Sequence, residues 1–172
     1  MRTKLLLLLI LCLPLNIGAA NLCDNGYDDV AGLFEYCSGI KSKGIHYTYV
    51  SRLMMKKVST LPMGEYDLKS LSDKIDFVKS VYVATGTEGA DECANRIEVM
   101  PNVVMEKGFE CVISVSKDAH HTNMYVKSGE GGLNSVFMTV VAYNEEGKIE
   151  FAVAALIGGV FSLDEILSIM KF

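Results

Sequence analysis

The sequence predicts an α+β fold in which a mostly antiparallel sheet ends in a four-strand meander and carries helices on one face. Between residues 109 and 159, four consecutive runs alternate apolar and polar side chains, as half-exposed strands do. Glycine-containing turns at 129–132 and 144–147 separate the later runs, and such short connections join antiparallel neighbours. Helix-like apolar stripes precede and follow the runs, and this order suits a two-layer arrangement.

Residues 1–20 are predicted to be a secretory signal peptide. Arg2 and Lys4 precede an apolar run over 5–15, and residues 18–20 supply small side chains at the cleavage positions. A membrane anchor is the disfavoured alternative, because this run is about half of the roughly 20 residues that a bilayer span needs. We therefore expect an exported protein, periplasmic or secreted, that is soluble after cleavage and has no membrane span.

Length and charge limit the remaining chain. The sequence has 172 residues, and loss of the signal leaves enough for one domain. We expect residues 21–44 to form an N-terminal helix and linker that pack against a single α+β domain over 45–172. Removing Arg2 and Lys4 leaves 14 basic against 21 acidic residues, a formal charge of −7. Such a surface repels nucleic acid and anionic lipid, so neither is an expected partner.

The first predicted helix begins at Asp28 or Asp29 and ends at Gly39. Its apolar residues fall at i, i+3, i+4 and i+7 and form one stripe: Val30, Leu33, Phe34 and Cys37. The polar segment 41–44 follows as a linker.

Two strands and a short helix come next. Residues 45–50 are rich in Tyr, Thr and Val and predict a strand. Ser51 is expected to cap a helix that continues to Leu61. Residues 65–75 predict a short helix or turn, and residues 77–84 predict the second strand.

A longer helix is expected over residues 90–107. Pro101 lies within it, and because proline lacks a backbone donor we expect a kink or a break there. Gly108 is the expected C-terminal stop.

The four strand runs place their apolar residues two apart. These residues are Phe109, Cys111, Ile113 and Val115, then Met124 and Val126, then Val136, Met138, Val140 and Ala142, and last Ile149, Phe151, Val153 and Ala155. The last strand differs, because residues 151–157 are apolar at nearly every position. It is expected either to lie centrally in the sheet or to have its outer face covered by a partner. Ser162 and Glu165 then form a capping box that opens a final helix.

Four short motifs carry a resemblance to a known family. They are the strand-to-helix join 47–51 followed by Met54, the segment 107–110, the strand 124–127, and Gly158-Gly159 leading into Leu163. With these motifs the chain resembles the uncharacterised exported family designated domain of unknown function 4252, of Bacteroides-type bacteria. The resemblance implies export, a small α+β domain and an unassigned role, and it supplies no catalytic residues.

Four cysteines remain after signal cleavage, and two interpretations of them stay open. Export permits disulfides, and pairing Cys23 with Cys37 and Cys93 with Cys111 would close two short loops around predicted helices. Alternatively, Cys37 and Cys111 sit on apolar faces as small hydrophobic residues.

The adjacent pair His120 and His121, beside Asp118, is the main candidate for chemistry, since imidazole binds metals and transfers protons near neutral pH. A solvated hairpin turn explains the pair better. Neighbouring strand residues point to opposite faces, His46 belongs to another strand, and no metal-ligand spacing accompanies the pair.

No other segment predicts a catalytic, cofactor-binding or metal-binding residue, and no cofactor is expected. Residues 129–132 lack the lysine and the following helix of a phosphate-binding loop, so they predict a turn. We expect an exported, non-enzymatic module that binds an unknown protein or small ligand in the cell envelope. The alternative is a metal-dependent or hydrolytic enzyme that uses His120 and His121.

Overall fold

The structure is a computed structural model that describes residues 28–58 and 73–169. The predicted signal peptide, Cys23, the expected helix end at Leu61 and most of the segment 65–75 lie outside the described residues.

Ten helices and strands are described, and their order matches the predicted sequence of elements. They are α1 (Asp28–Gly39), β1 (Ile45–Ser51), α2 (Arg52–Val58), β2 (Ile75–Ala84), α3 (Ala90–Glu106), β3 (Glu110–Lys117), β4 (His120–Gly129), β5 (Gly132–Tyr143), β6 (Ile149–Phe161) and α4 (Leu163–Ile169). The strands form one six-stranded sheet in the order β1-β2-β6-β5-β4-β3, and every pairing is antiparallel. The predicted α+β class with an antiparallel sheet is confirmed.

Strand β6 lies inside the sheet, between β2 and β5. Of the two explanations offered for its apolar sequence, the central position applies. Ala154 and Leu156 are fully buried on one face, while Val153 and Ile157 are buried on the other. Because both faces of a central strand are covered, its side chains need not alternate in polarity.

One side of the sheet, called here the first face, packs against the two long helices. Helices α1 and α3 contact each other and the sheet, and their apolar stripes meet the strand residues in a single buried cluster. The strand residues of this cluster include Val81, Val83, Phe137, Val141 and Leu156.

The opposite side, called the second face, has its own buried cluster. Met124, Val136 and Ile157 lie at its centre. Met55 of α2 and Ile166 of α4 belong to the same cluster, so the short helices contribute to this face. This differs from the expectation that helices lie on one face, and it follows from the central strands being apolar on both sides.

Strand β3 does not keep its predicted alternation. The pairing with β4 shifts register between Cys111 and Ile113, which is the mark of a β-bulge. Because of the extra residue, each later side chain of β3 points to the opposite face of the sheet from the one that simple alternation predicts. Cys111 therefore pairs beside Tyr125, whose ring is in the first-face cluster, whereas Ile113 packs with the second-face cluster. The expectation that Phe109, Cys111, Ile113 and Val115 share one face is wrong.

Helix α3 runs through Pro101 without the break that the sequence suggested as one possibility. The helix ends as predicted. Gly108 has φ +82°, its amide donates to the Met105 carbonyl at 3.1 Å, and the Phe109 amide donates to the Val104 carbonyl at 3.0 Å. This pair of bonds is a Schellman motif, which needs a residue that tolerates positive φ.

The capping box of α4 is confirmed. The Ser162 amide donates to the Glu165 carboxylate at 2.9 Å, and the Glu165 amide donates to the Ser162 hydroxyl at 3.2 Å. Lys74, next to the start of β2, forms an ion pair with the same carboxylate, which lowers the pKa of Glu165 together with the bond from Ser162. The cap therefore also joins α4 to the sheet.

Candidate functional site

Four ring-bearing side chains form a row across one end of the second face. The row consists of His46 on β1, Tyr82 on β2, Phe151 on β6 and His120 on β4. The ring centroids are 6.1 Å apart between His46 and Tyr82, 6.0 Å between Tyr82 and Phe151, and 5.9 Å between Phe151 and His120. This aromatic row is the candidate binding site.

Strand register brings the row together. His46 pairs directly with Tyr82, and Phe151 pairs with Ala84, the residue two positions after Tyr82 on the same face. His120 and Phe151 both pair with Ala142 of β5, which lies between them. Because Ala142 carries only a methyl group, the two rings meet edge to face above it, at an interplanar angle of 60°.

The rings of the row are open to solvent. His46 and His120 are exposed, Tyr82 retains 41% of its accessible surface, and Phe151 is half-buried. The row crosses five strands, so its length is roughly 19 Å at about 4.8 Å between strands. It is only one side chain wide, since Val153 and Val140, the neighbours toward the sheet centre, are buried.

The two predicted candidate histidines separate to opposite faces. They are the first two residues of β4, and the turn is Asp118-Ala119, where φ is +51° and +59°. The pair is exposed, as expected, but it follows the hairpin turn and does not lie in it. The His120 Nδ1 lies 2.7 Å from the Asp118 carbonyl oxygen, while the His121 ring packs edge-on against Tyr143 at 5.1 Å. The imidazoles cannot converge on one ion or one substrate atom from opposite sides of the sheet.

His121 belongs to a small cluster at the edge of the first face. The Tyr143 hydroxyl donates to the Glu98 carboxylate of α3 at 2.6 Å. Burial and this bond to a carboxylate raise the pKa of Tyr143 to about 12. The phenol therefore stays protonated at neutral pH and serves as a donor that ties β5 to α3, not as a base.

Metal ligands are not clustered in the part of the chain that the structure describes. Within residues 28–58 and 73–169, no group of three His, Cys, Asp or Glu side chains could hold a metal ion. The segment 129–132 connects β4 to β5 as a tight hairpin, with Gly131 at φ +87°. A strand follows it, so it has no helix N-terminus with which to hold a phosphate.

The three described cysteines differ from the predicted pairing. Cys37 and Cys93 are fully buried in the same cluster between α1 and α3, and burial raises the pKa of both thiols. Cys111 is exposed and donates to the Ile113 carbonyl at 3.5 Å. The suggested pairing of Cys93 with Cys111 does not agree with this arrangement, while Cys23 lies outside the described residues.

Sequence reasoning missed the aromatic row. It considered His120 only together with its neighbour and treated His46 as a separate strand residue. Tyr82 and Phe151 lie 69 positions apart in sequence, and only the pairing of β2 with β6 makes them neighbours. The one available signal was the presence of a ring residue near the end of four different strands.

Comparison with known proteins found no match for this chain, either among protein-family models or among curated protein sequences. None of the described helices combines the length and the apolar character that a membrane crossing requires.

Proposed function

We propose that this chain is an exported, non-enzymatic binding module of the cell envelope, and that it binds its ligand on the aromatic row. One observation carries the proposal: rings from four strands lie in a continuous, solvent-open line on a sheet face that is otherwise largely buried. Exposed aromatic rings in line provide stacking surface at little entropic cost, because each ring has few rotatable bonds.

The shape and chemistry of the row favour a linear, uncharged carbohydrate chain. Sugar rings have apolar C–H faces that stack flat on aromatic rings, and their hydroxyl groups need hydrogen-bond partners at the ring edges. The Tyr82 hydroxyl and the His46 and His120 ring nitrogens provide such partners within the row. The acidic chain, with a formal charge of −5 for the full sequence and −7 after loss of the predicted signal peptide, disfavours polyanionic ligands.

An extended peptide fits the row less well. A peptide strand binds best where a sheet edge offers free backbone donors and acceptors. The central strands under the row, β2, β6 and β5, use their backbone groups to pair with neighbours on both sides.

Export, membership of the domain of unknown function 4252 family, and the finer description of the fold are parts of the same proposal. The signal-like residues 1–20 and the four family-like motifs support the first two. For the fold, the proposal is two main layers, the sheet and the helix pair α1 with α3, and a meander formed by β3, β4, β5 and β6 that is supported by the pairing of these strands in chain order.

The alternative, an enzyme built on His120 and His121, would need both imidazoles on one side of the sheet. Their positions at adjacent residues of β4 give no support to that alternative.

The proposal is tested with the purified protein and a panel of neutral oligosaccharides, including β-glucan, chitin and mannan fragments, by calorimetric titration. We expect at least one of them to bind, and Tyr82→Ala and Phe151→Ala each to weaken it about tenfold or more, equivalent to about 1.4 kcal/mol.

Tyr49→Ala is the matched control, because Tyr49 lies on β1, the strand of His46, but on the first face, where it pairs with Lys79. Its affinity should equal that of the unmodified protein. The proposed site is wrong if no oligosaccharide binds, or if the three variants weaken binding equally.

A further inference from the structure

Two buried thiols face each other between the two long helices. Cys37 lies in the last turn of α1 and Cys93 in the first turn of α3. Neither has accessible surface, and both belong to the first-face cluster. The helices that carry them pack against each other, and the thiols are near enough for Cys93 to contribute to the raised pKa of Cys37.

The surrounding contacts fix the helix crossing at this point. The Arg96 guanidinium lies 3.8 Å above the Tyr36 ring, and it is bonded at 3.0 Å to the Glu92 carboxylate. Tyr36 precedes Cys37 in sequence, and Glu92 precedes Cys93. The stack of Arg96 on Tyr36 therefore joins α3 to α1 beside Cys37 and within one helical turn of Cys93, while Glu92 holds the guanidinium from within α3.

We propose that Cys37 and Cys93 form a disulfide in the exported protein, so that α1 is covalently joined to α3. A disulfide-bearing oxidant, either a thiol–disulfide oxidoreductase or a small-molecule disulfide, supplies the oxidising equivalents. One cysteine thiolate attacks the oxidant disulfide and releases one oxidant thiol. The second thiolate then attacks the mixed disulfide and releases the other. Two protons and two electrons leave the cysteine pair, and the oxidant ends as two thiols.

The burial of the two thiols determines when the disulfide can form. Burial raises the pKa of both thiols, so in the folded, reduced protein neither sulfur is a good nucleophile and no oxidant can reach it. Oxidation must therefore occur while the chain folds or during local opening. The bond would close a loop of about 55 residues between the helices, and such loops give a large gain in stability because they restrict the unfolded chain.

The first experiment maps the thiols directly. The denatured, reduced protein is refolded in a mixture of reduced and oxidised glutathione, free thiols are blocked, and proteolytic peptides are analysed by mass spectrometry without reduction. We expect a linked peptide that contains Cys37 and Cys93, and a blocked thiol on Cys111. A linkage of Cys23 to Cys37 or of Cys93 to Cys111, or free thiols at both Cys37 and Cys93, would overturn the proposal.

The second experiment measures stability. Adding a reductant to the oxidised protein should lower its Tm by about 10 °C. The double variant Cys37→Ala with Cys93→Ala should show no response to reductant, whereas Cys111→Ser should respond as the unmodified protein does. An unmodified protein whose Tm does not change on reduction, while the peptides show the link, would contradict the stabilising role. The inference rests on export for its oxidant but not on the ligand, so failure of oligosaccharide binding leaves it standing.

Discussion

The two faces of the sheet are covered in different ways. On the first face, two long helices bring continuous apolar stripes onto the strands, and Phe34, Ile97 and Phe137 are fully buried there. On the second face, the described cover comes from two short helices through Met55 and Ile166, and one end carries the exposed aromatic row. Among the described residues the first face has the larger buried cluster, so we expect it to contribute more to the folding free energy than the second face, which exposes rings at one end.

The largest effect that this comparison predicts is on the free energy of unfolding. Phe137→Ala should cost about 3–5 kcal/mol, because it removes a fully buried ring that packs against Tyr125 and leaves a cavity under α3. Phe151→Ala, the matched change in the adjacent strand on the second face, should cost at most about 1.5 kcal/mol, since that ring is half-buried. Urea denaturation measures both. Equal losses would show that the two faces contribute equally.

A smaller effect tests how the second face is covered. Ser162→Ala should destabilise the protein by about 1 kcal/mol, because it removes the hydroxyl that accepts from the Glu165 amide and frays the helix that carries Ile166. Ser116→Ala, at an exposed position of β3, should change the unfolding free energy by less than about 0.5 kcal/mol. If the two serine variants behave alike, the cap does not hold α4 on the sheet.

Acid should weaken the same attachment. The ion pair with Lys74 and the bonds from Ser162 lower the pKa of Glu165 in the folded protein. A lowered pKa means that the unfolded state binds the proton more readily, so this contribution is present above the ordinary glutamate pKa and is lost as pH falls through the lowered value. Glu165→Gln should therefore reduce stability at pH 7 and flatten the acid side of a pH-stability profile. If the low-pH side of the profile is the same in the variant and the unmodified protein, the lowered pKa of Glu165 does not contribute to stability.

The smallest predicted effect lies at the edge of the first face and at high pH. The pKa of Tyr143 is raised to about 12, so the folded state keeps this proton longer than the unfolded state, whose tyrosine has a pKa near 10. The stabilisation that comes from this raised pKa is complete below pH 10 and is lost as pH rises toward 12. Tyr143→Phe should make the alkaline loss of stability shallower, and Glu98→Gln should do so in part. Thermal unfolding at pH 8 and pH 11 measures this. The prediction is contradicted if the Tm of the unmodified protein and of both variants falls by the same amount between the two pH values.

Local patterns predicted much of the fold. The stripe of α1, the stop at Gly108 and the capping box at Ser162 all appear in the structure, because each depends on hydrogen bonds or contacts between residues a few positions apart. The alternation of apolar and polar residues in β5 correctly predicted which side chains are buried on one of its faces. It did not predict that Ser135 and Thr139 on the other face would be buried, since small hydroxyl side chains alone do not show whether a strand is central.

The histidine pair, which the sequence offered only as the alternative site, shows the same limit of local patterns. His120 and His121 attracted attention because they are adjacent in sequence, but adjacency in a strand places the rings on opposite faces. The bulge in β3 had no clear sequence signal, because the face of each residue depends on how β3 pairs with β4.

By itself the sequence determined the order of the described elements and several of their local ends, since the free energies that set these come from neighbouring residues. The tertiary structure decided that β6 lies between β2 and β5, that Cys37 meets Cys93, and that His46, Tyr82, Phe151 and His120 stand in one row. Strand order and register depend on the burial of two whole sheet faces at once. That free energy is a sum over residues far apart in the chain, so no single segment contains it.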